Sequence, residues 1–298
     1  MLLLPRMDKT NSQVVTFDAT PRSGSETVRD GDWWTTATGG LPGGDHKFTA
    51  ADATSGGTSH APPPTWVVVV PNITSFSSAS GSRITVDGHM ASVQNANQPW
   101  SLTQSDANTL QFTVKSGDHW STAGWSDLTN DAGAERSEIA FSPNYAAGTQ
   151  IDVSEQLTVQ PGPTNTASFL DLNQLHSTTQ SPPSPFTLQL DDSDHMEVIL
   201  QSPNNSYIVV YRDPNPIVRG QTYDMSFHLN MDPDGNGYVG VWRDGVQIVD
   251  YRGAVGTAGA EYYWKEGVYR GPAAETITAD FSNVQIGAPQ TPFPQSHR

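Results

Sequence analysis

From about Ser75 onward the chain is a succession of short alternating runs, each closed by Gly, Asp or Asn. Ile84-Thr85-Val86, Trp100-Ser101-Leu102 and Leu110 to Val114 come first. After them come Arg136 to Phe141, Gln150 to Val159, Ala167 to His176, Phe186 to Leu190, Glu197 to Leu200 and Tyr207 to Tyr211. Tyr223 to Asn230, Gly237 to Arg243, Val246 to Tyr251, Tyr262 to Arg270 and Thr276 to Ile286 complete the series. Runs with period-two alternation at a spacing of roughly 8–12 residues read as strands, and many such strands make a sandwich or jelly roll. Long apolar stripes of helical period are missing, and the 26 Gly and 22 Pro favour turns over helices. The expected fold is all-β: a β-jelly roll, that is, a concanavalin-like two-sheet antiparallel sandwich with a concave cleft.

Residues 1–74 read differently, as a low-complexity or linker segment that partly packs on the core. Gly39-Gly40-Leu41-Pro42-Gly43-Gly44 and Ala61-Pro62-Pro63-Pro64 are loop and stiff spacer, and Trp33-Trp34 is a candidate anchor. Trp66 to Val70 is a short buried-strand candidate. The catalytic or binding domain is expected over 75–290, with a tail over 291–298. A long loop from Ser116 to Gly133 carries His119, Trp120 and Trp125. Asp232 to Gly237 resembles the first half of a helical calcium loop, but the twelfth position is Arg243, so a hairpin turn explains it better.

The net charge of -16 argues against nucleic acid and anionic membrane as partners. With no cysteine, disulfides and thiolate metal sites are excluded. Met1 to Pro5 is too short to be the hydrophobic region of a signal peptide or a membrane span. A polyanionic ligand would need the few cations gathered in one place.

Three strands offer such a gathering. In Tyr263-Trp264-Lys265-Glu266-Gly267-Val268-Tyr269-Arg270, the residues Tyr263, Lys265, Gly267 and Tyr269 face one way and Trp264, Glu266, Val268 and Arg270 the other. Gly267 leaves room for a ligand or a backbone to come close. Arg136 and Glu138 share a face on a second strand. On a third, Leu170, Leu172, Gln174 and His176 are expected on one face. Arg, Gln, His, Lys and Tyr together suit β-elimination on a uronic acid polymer. Neutralising the carboxylate stabilises the charge that builds when C5–H is removed, and a base and an acid then serve C5 and O4. A Tyr whose pKa is lowered by Arg and Lys can fill both roles where C5–H and O4 are syn, as in glucuronate and mannuronate. In guluronate and galacturonate they are anti, and two groups are needed. A glycosidase would want a pair of carboxylates across the cleft, and Glu138 has no evident partner. A non-catalytic carbohydrate-binding jelly roll, stacking sugars on Trp120, Trp125 and Trp242, is the other alternative.

Arg136-Ser137-Glu138-Ile139, Gln174-Leu175-His176 and Tyr263 to Tyr269 resemble, in this order, the signature strands of the jelly-roll polysaccharide lyases. That group includes alginate lyases, glucuronan lyases and heparin-lyase-like enzymes. The resemblance implies that Tyr269 is the catalytic base and acid and His176 the second catalytic group. It implies that Gln174 and Arg136 bind the carboxylate, that Lys265 tunes charge or forms a subsite, and that Glu138, in the same substrate-binding set, holds Arg136 or Lys265. Tyr263, Arg270, Trp120 and Trp125 complete the expected substrate-binding set. Alginate lyases usually follow the last Tyr with Asn-Gln, whereas this chain has Arg270-Gly271, closer to the glucuronan and heparin-lyase-like members; sulfated substrates call for more cations than this acidic chain offers, so the expected substrate is an unsulfated glucuronan-type polymer. The resemblance also implies an anionic polysaccharide as partner, a monomer, an extracellular or periplasmic location, and chemistry that needs no cofactor. Some members hold a structural calcium ion, for which the sequence identifies no ligands.

Overall fold

The computed structural model describes residues 71–287 apart from 143, 180–182 and 202–205, together with six strands before residue 71. The chain divides into two compact units, Met1–Asn72 and Ile73–Arg298. The first holds β1 (Val14–Thr16), β2 (Ser25–Asp30), β3 (Trp33–Thr38), β4 (Gly44–Thr49), β5 (Ala51–Asp52) and β6 (Thr65–Val70). They pair as β1-β6-β4 and β2-β3-β5. The expected packing of residues 1–74 on the core, the Trp33-Trp34 anchor and the tail 291–298 lie outside the described residues.

The second unit begins with β7 (Ile73–Ser75), β8 (Arg83–Val86), β9 (His89–Asn95), β10 (Leu102–Asp106) and β11 (Thr109–Val114). The long loop then contains β12 (Ser121–Thr122), β13 (Trp125–Ser126) and one helical turn, α1 (Asp127–Asn130). Next come β14 (Glu135–Phe141), β15 (Tyr145–Ala146), β16 (Gln150–Val159), β17 (Leu170–Ser177), β18 (Phe186–Leu190) and β19 (His195–Gln201). The series ends with β20 (Tyr207–Pro216), β21 (Thr222–Asn230), β22 (Gly237–Arg243), β23 (Val246–Gly253), β24 (Glu261–Arg270) and β25 (Ile277–Gly287). One sheet runs β10-β11-β25-β16-β21-β22-β23. The other runs β20-β19-β18-β17-β24-β14-β9-β8-β7, with β15 on the start of β24. Both sheets are antiparallel, and together they form the jelly-roll sandwich. The residues 232–236 make the hairpin turn between β21 and β22, with Asn230 opposite Tyr238.

Alternation builds the core. In β16, Ile151, Val153, Leu157 and Val159 point inward, and Asp152, Ser154, Gln156 and Thr158 are partly exposed. Trp264 and Val268 meet them from β24, where Trp264 packs with Phe186 and Phe227 at ring separations of 6.1 and 5.1 Å. The same alternation puts two acids inside. Glu155 on β16 and Glu266 on β24 are buried with Asn173, whose Nδ2 donates to Glu155 Oε2 at 3.2 Å. Burial pushes the Glu155 carboxyl up to about 8, against the lowering effect of Asn173. Burial and then Glu155 push Glu266 well above the usual range.

β24 runs between β14 and β17, and Gly267 lets it approach. Its φ is +136°, and a Cβ there would lie 2.4 Å from the Ser137 carbonyl oxygen and 2.6 Å from Glu138 Cα. The room left by this glycine is taken by backbone.

The buried acids predict a pH dependence. A carboxyl whose folded pKa is raised adds its stability fully below its unfolded value, near 4.5 for Glu155, and loses it as pH climbs through about 8. Thermal unfolding midpoints should therefore fall across that window. Glu155→Gln should flatten the fall and unfold at a higher temperature than the unaltered chain at the alkaline end.

Candidate active site

In β14 every residue is buried, although the strand alternates. Ile139 and Phe141 join the core. Arg136 and Glu138 belong to the other face, beneath the loop that carries α1. Pairing aligns Arg136 with Tyr269, Glu138 with Gly267 and Ala140 with Lys265. On the far side of β24, Gln174 is opposite Lys265 and His176 opposite Tyr263. Because paired residues share a face, all these side chains meet on one floor.

Glu138 is the hub of that floor. Its Oε2 accepts from Lys265 Nζ at 2.6 Å and from Arg136 Nη1 at 3.4 Å, and its Oε1 accepts from Gln174 Nε2 at 2.9 Å. Gln174 Oε1 in turn accepts from the Ser184 hydroxyl at 2.7 Å. Burial pulls the Lys265 ammonium below its ordinary pKa, and Glu138 opposes the shift. Burial also opposes the charge on Arg136, but Glu138 and Asp127 carry its pKa above the usual value.

Arg136 is held chiefly from the loop. Its Nε and Nη2 make a two-pronged pair with Asp127 at 2.7 and 2.8 Å. The guanidinium stacks over Tyr269 at 4.4 Å and over Trp120 at 5.0 Å. Trp125 Nε1 donates to Asp127 at 3.0 Å. Trp120 and Trp125 thus brace this arginine clamp, Trp120 by its ring and Trp125 through Asp127.

The two expected proton carriers are both neutral. The Tyr269 hydroxyl donates to Asp131, and burial, this hydrogen bond and the Asp131 charge push its pKa up. The expected lowering by Arg and Lys is corrected: Arg136 does lower it, but burial and Asp131 outweigh that effect. For His176, burial and then Lys265 press the imidazole pKa down to about 3. Its Nδ1 lies 2.8 Å from the Ser177 carbonyl. A carbonyl only accepts, so Nδ1 carries the proton and Nε2 keeps its lone pair. His176 stacks on Tyr263 at 5.1 Å, and burial with Glu138 raises that phenol to about 12.

Two expectations about faces need correction. Leu170 and Leu172 do not share a face with Gln174 and His176, because the pairing of β17 shifts between Asp171 and Asn173. The shift leaves both leucines in the core and turns Asp171 onto the floor, opposite Tyr269. Arg270 does not reach the floor either. It is fully buried on the opposite face, with Nε at 2.9 Å from Glu135 Oε2 and Nη1 at 3.6 Å from Glu275. Asp127, Asp131 and Asp171 are the site residues missed in the sequence. A buried arginine needs counter-charges, and that was the available signal for the first two. Among the described residues no group of three or more His, Asp or Glu side chains is placed to hold a metal.

Removing the hub leaves Lys265 buried without its partner. Glu138→Ala should therefore lower the unfolding free energy by about 3–5 kcal/mol, as read from denaturant titration.

The sequence model of the family described as Polysaccharide lyase matches residues 75–285. No curated protein matches the chain. Among solved structures, an endo-beta-1,4-glucuronan lyase from the fungus Trichoderma reesei is 12% identical, with a TM-score of 0.50 over 67% of this chain and 87% of that one. An alginate lyase from Klebsiella pneumoniae is 15% identical, with a TM-score of 0.48 over 65% and 86%. The match of that family model over residues 75–285, most of the chain, makes this chain a member of the polysaccharide lyase family.

Proposed function

We propose that this lyase cleaves a β-linked uronic acid polymer, of the unsulfated glucuronan type, by β-elimination. The observation that carries the reading is the pairing on one floor of a protonated phenol, Tyr269, with a neutral imidazole, His176. An anionic sugar laid across them turns one ring face to both groups. Glucuronate has C5–H and O4 on the same face, so both bonds are served from below. Floor cations are few: Lys265 is tied to Glu138 and Arg136 to Asp127. That suits one carboxylate per sugar better than the added charge of sulfate groups.

Arg136 and the second N–H of the Gln174 amide bind the uronate carboxylate and oppose the charge that develops on it. His176 Nε2 takes the C5 proton. The electron pair left on C5 forms the C4=C5 double bond as the C4–O4 bond breaks, and Tyr269 gives its proton to O4. The proton on His176 then returns to the tyrosinate, and no water is consumed. Tyr269 acts here as the acid, because its phenol is protonated at rest; the resemblance implied both roles. Hydrolysis is the weaker reading, since Glu138 already accepts from three side chains.

Product should appear as ultraviolet absorbance of unsaturated uronate. Tyr269→Phe should lower kcat by roughly 10²–10⁴-fold. A base with a folded pKa of about 3 stays unprotonated well below the ordinary value of 6.5. The acid limb of kcat/KM should accordingly lie far below that value. A limb near it, or full activity in Tyr269→Phe, would remove these roles.

A further inference from the structure

One acid on the floor has no part in the scheme above. Asp171 stands directly across the ladder from Tyr269 on β17, as Arg136 does on β14. The phenol is thus flanked by a guanidinium on one side and a carboxyl on the other. Asp171 is 9% exposed, and among the described residues its carboxyl has no hydrogen-bond or ion-pair partner. The charged and titratable groups facing it are Arg136 and Glu138 on β14, Lys265 and Tyr269 on β24, and Asp131 after α1. On β18 its partner is Gln189, whose amide is engaged by Glu197 at 2.8 Å.

Both cations near it are already matched. Lys265 is bound to Glu138, and Arg136 to Asp127, Asp131 and Glu138. An ionised Asp171 would add a further negative charge to a floor that receives an anion. Burial first, and Glu138 next, hold its carboxyl well above the usual range, so it keeps its proton. A buried neutral carboxyl has one O–H to donate. Among the described residues no acceptor receives it.

We propose that Asp171 is a further substrate-binding residue, whose carboxyl O–H donates a hydrogen bond to the uronate carboxylate lying beside Tyr269. The inference rests on the reading of the floor as a uronate site. Asp171 thereby completes the carboxylate's surroundings opposite Arg136, and selects a uronate over a neutral sugar. It also links binding to pH: donation is present while Asp171 is protonated and is lost as pH rises through its folded pKa. By reciprocity, a bound uronate holds that proton more firmly.

The test compares Asp171→Ala, which removes the donor, with Asp171→Asn, which keeps an N–H donor of nearly the same shape and cannot ionise. Turnover of glucuronan and calorimetric binding of an unsulfated glucuronate oligosaccharide are measured from about pH 5 to about pH 9. The unaltered enzyme should show KM rising at the alkaline end. The Ala variant should raise KM roughly ten- to a hundredfold at neutral pH with kcat retained. The Asn variant should keep KM close to that of the unaltered enzyme and lose the alkaline rise. Thermal unfolding of each variant separates a binding loss from a folding loss. The proposal is overturned if Ala leaves KM and binding unchanged at every pH, or if Asn abolishes kcat as the loss of an ionised base would. Asp171-dependent binding without cleavage would sink only the lyase reading, cleavage with an Asp171-independent KM only this proposal, and absence of both binding and cleavage would sink the two together.

Discussion

Glu138 is one carboxylate with three donors. It lies almost wholly out of water, where a charge is costly unless opposite charge and hydrogen bonds surround it. Lys265 comes from β24, Gln174 from β17 and Arg136 from β14 itself. The hub therefore ties together the three strands that carry the site. It also fixes what each donor can still do. Lys265 is committed, Gln174 has one N–H free of Glu138, and Arg136 turns its other edge to Asp127. The floor can be rigid because each charge on it other than the substrate's is matched before substrate arrives.

Neutrality of the proton carriers follows from the same enclosure. His176 is neutral because burial and Lys265 both disfavour imidazolium, and its backbone contact leaves Nε2 as the acceptor. Tyr269 is neutral because burial and Asp131 both disfavour phenolate. An acid and a base that coexist uncharged on one surface can pass a proton through the substrate without first exchanging with water. Two carboxyls further inside, Glu155 and Glu266, are pushed the same way by the same cause. They show that this sandwich tolerates acids at inward positions of its strands.

Much of this was legible in residue order. Alternation gave most strands of the sandwich within a few residues, but β7, β9 and β15 went unnoticed: β7 and β15 are only three and two residues long, and β9 buries Asn95 while it exposes Met90. The facing of Tyr263, Lys265, Gly267 and Tyr269 follows from period two, and β24 keeps that period. β17 does not. Its shift between Asp171 and Asn173 reverses the faces upstream, and nothing in Leu170-Asp171-Leu172-Asn173 marks where the register slips. Asp171 was hidden for that reason. Asp127 and Asp131 lie only nine and five residues before Arg136, but they sit in a loop without period, so alternation does not show that they turn back onto the arginine. Arg270 was misplaced differently: its position after Tyr269 suggested a ligand contact, but alternation sends it to Glu135.

Elimination on this floor breaks the C4–O4 bond without water. The most direct measurement is the mass of the two fragments made from a glucuronan oligosaccharide of defined length. Elimination predicts that the fragment masses sum to that of the parent, with one fragment carrying the unsaturated end. Fragments that together weigh one water more than the parent would contradict it, and would move the chemistry of this floor to hydrolysis.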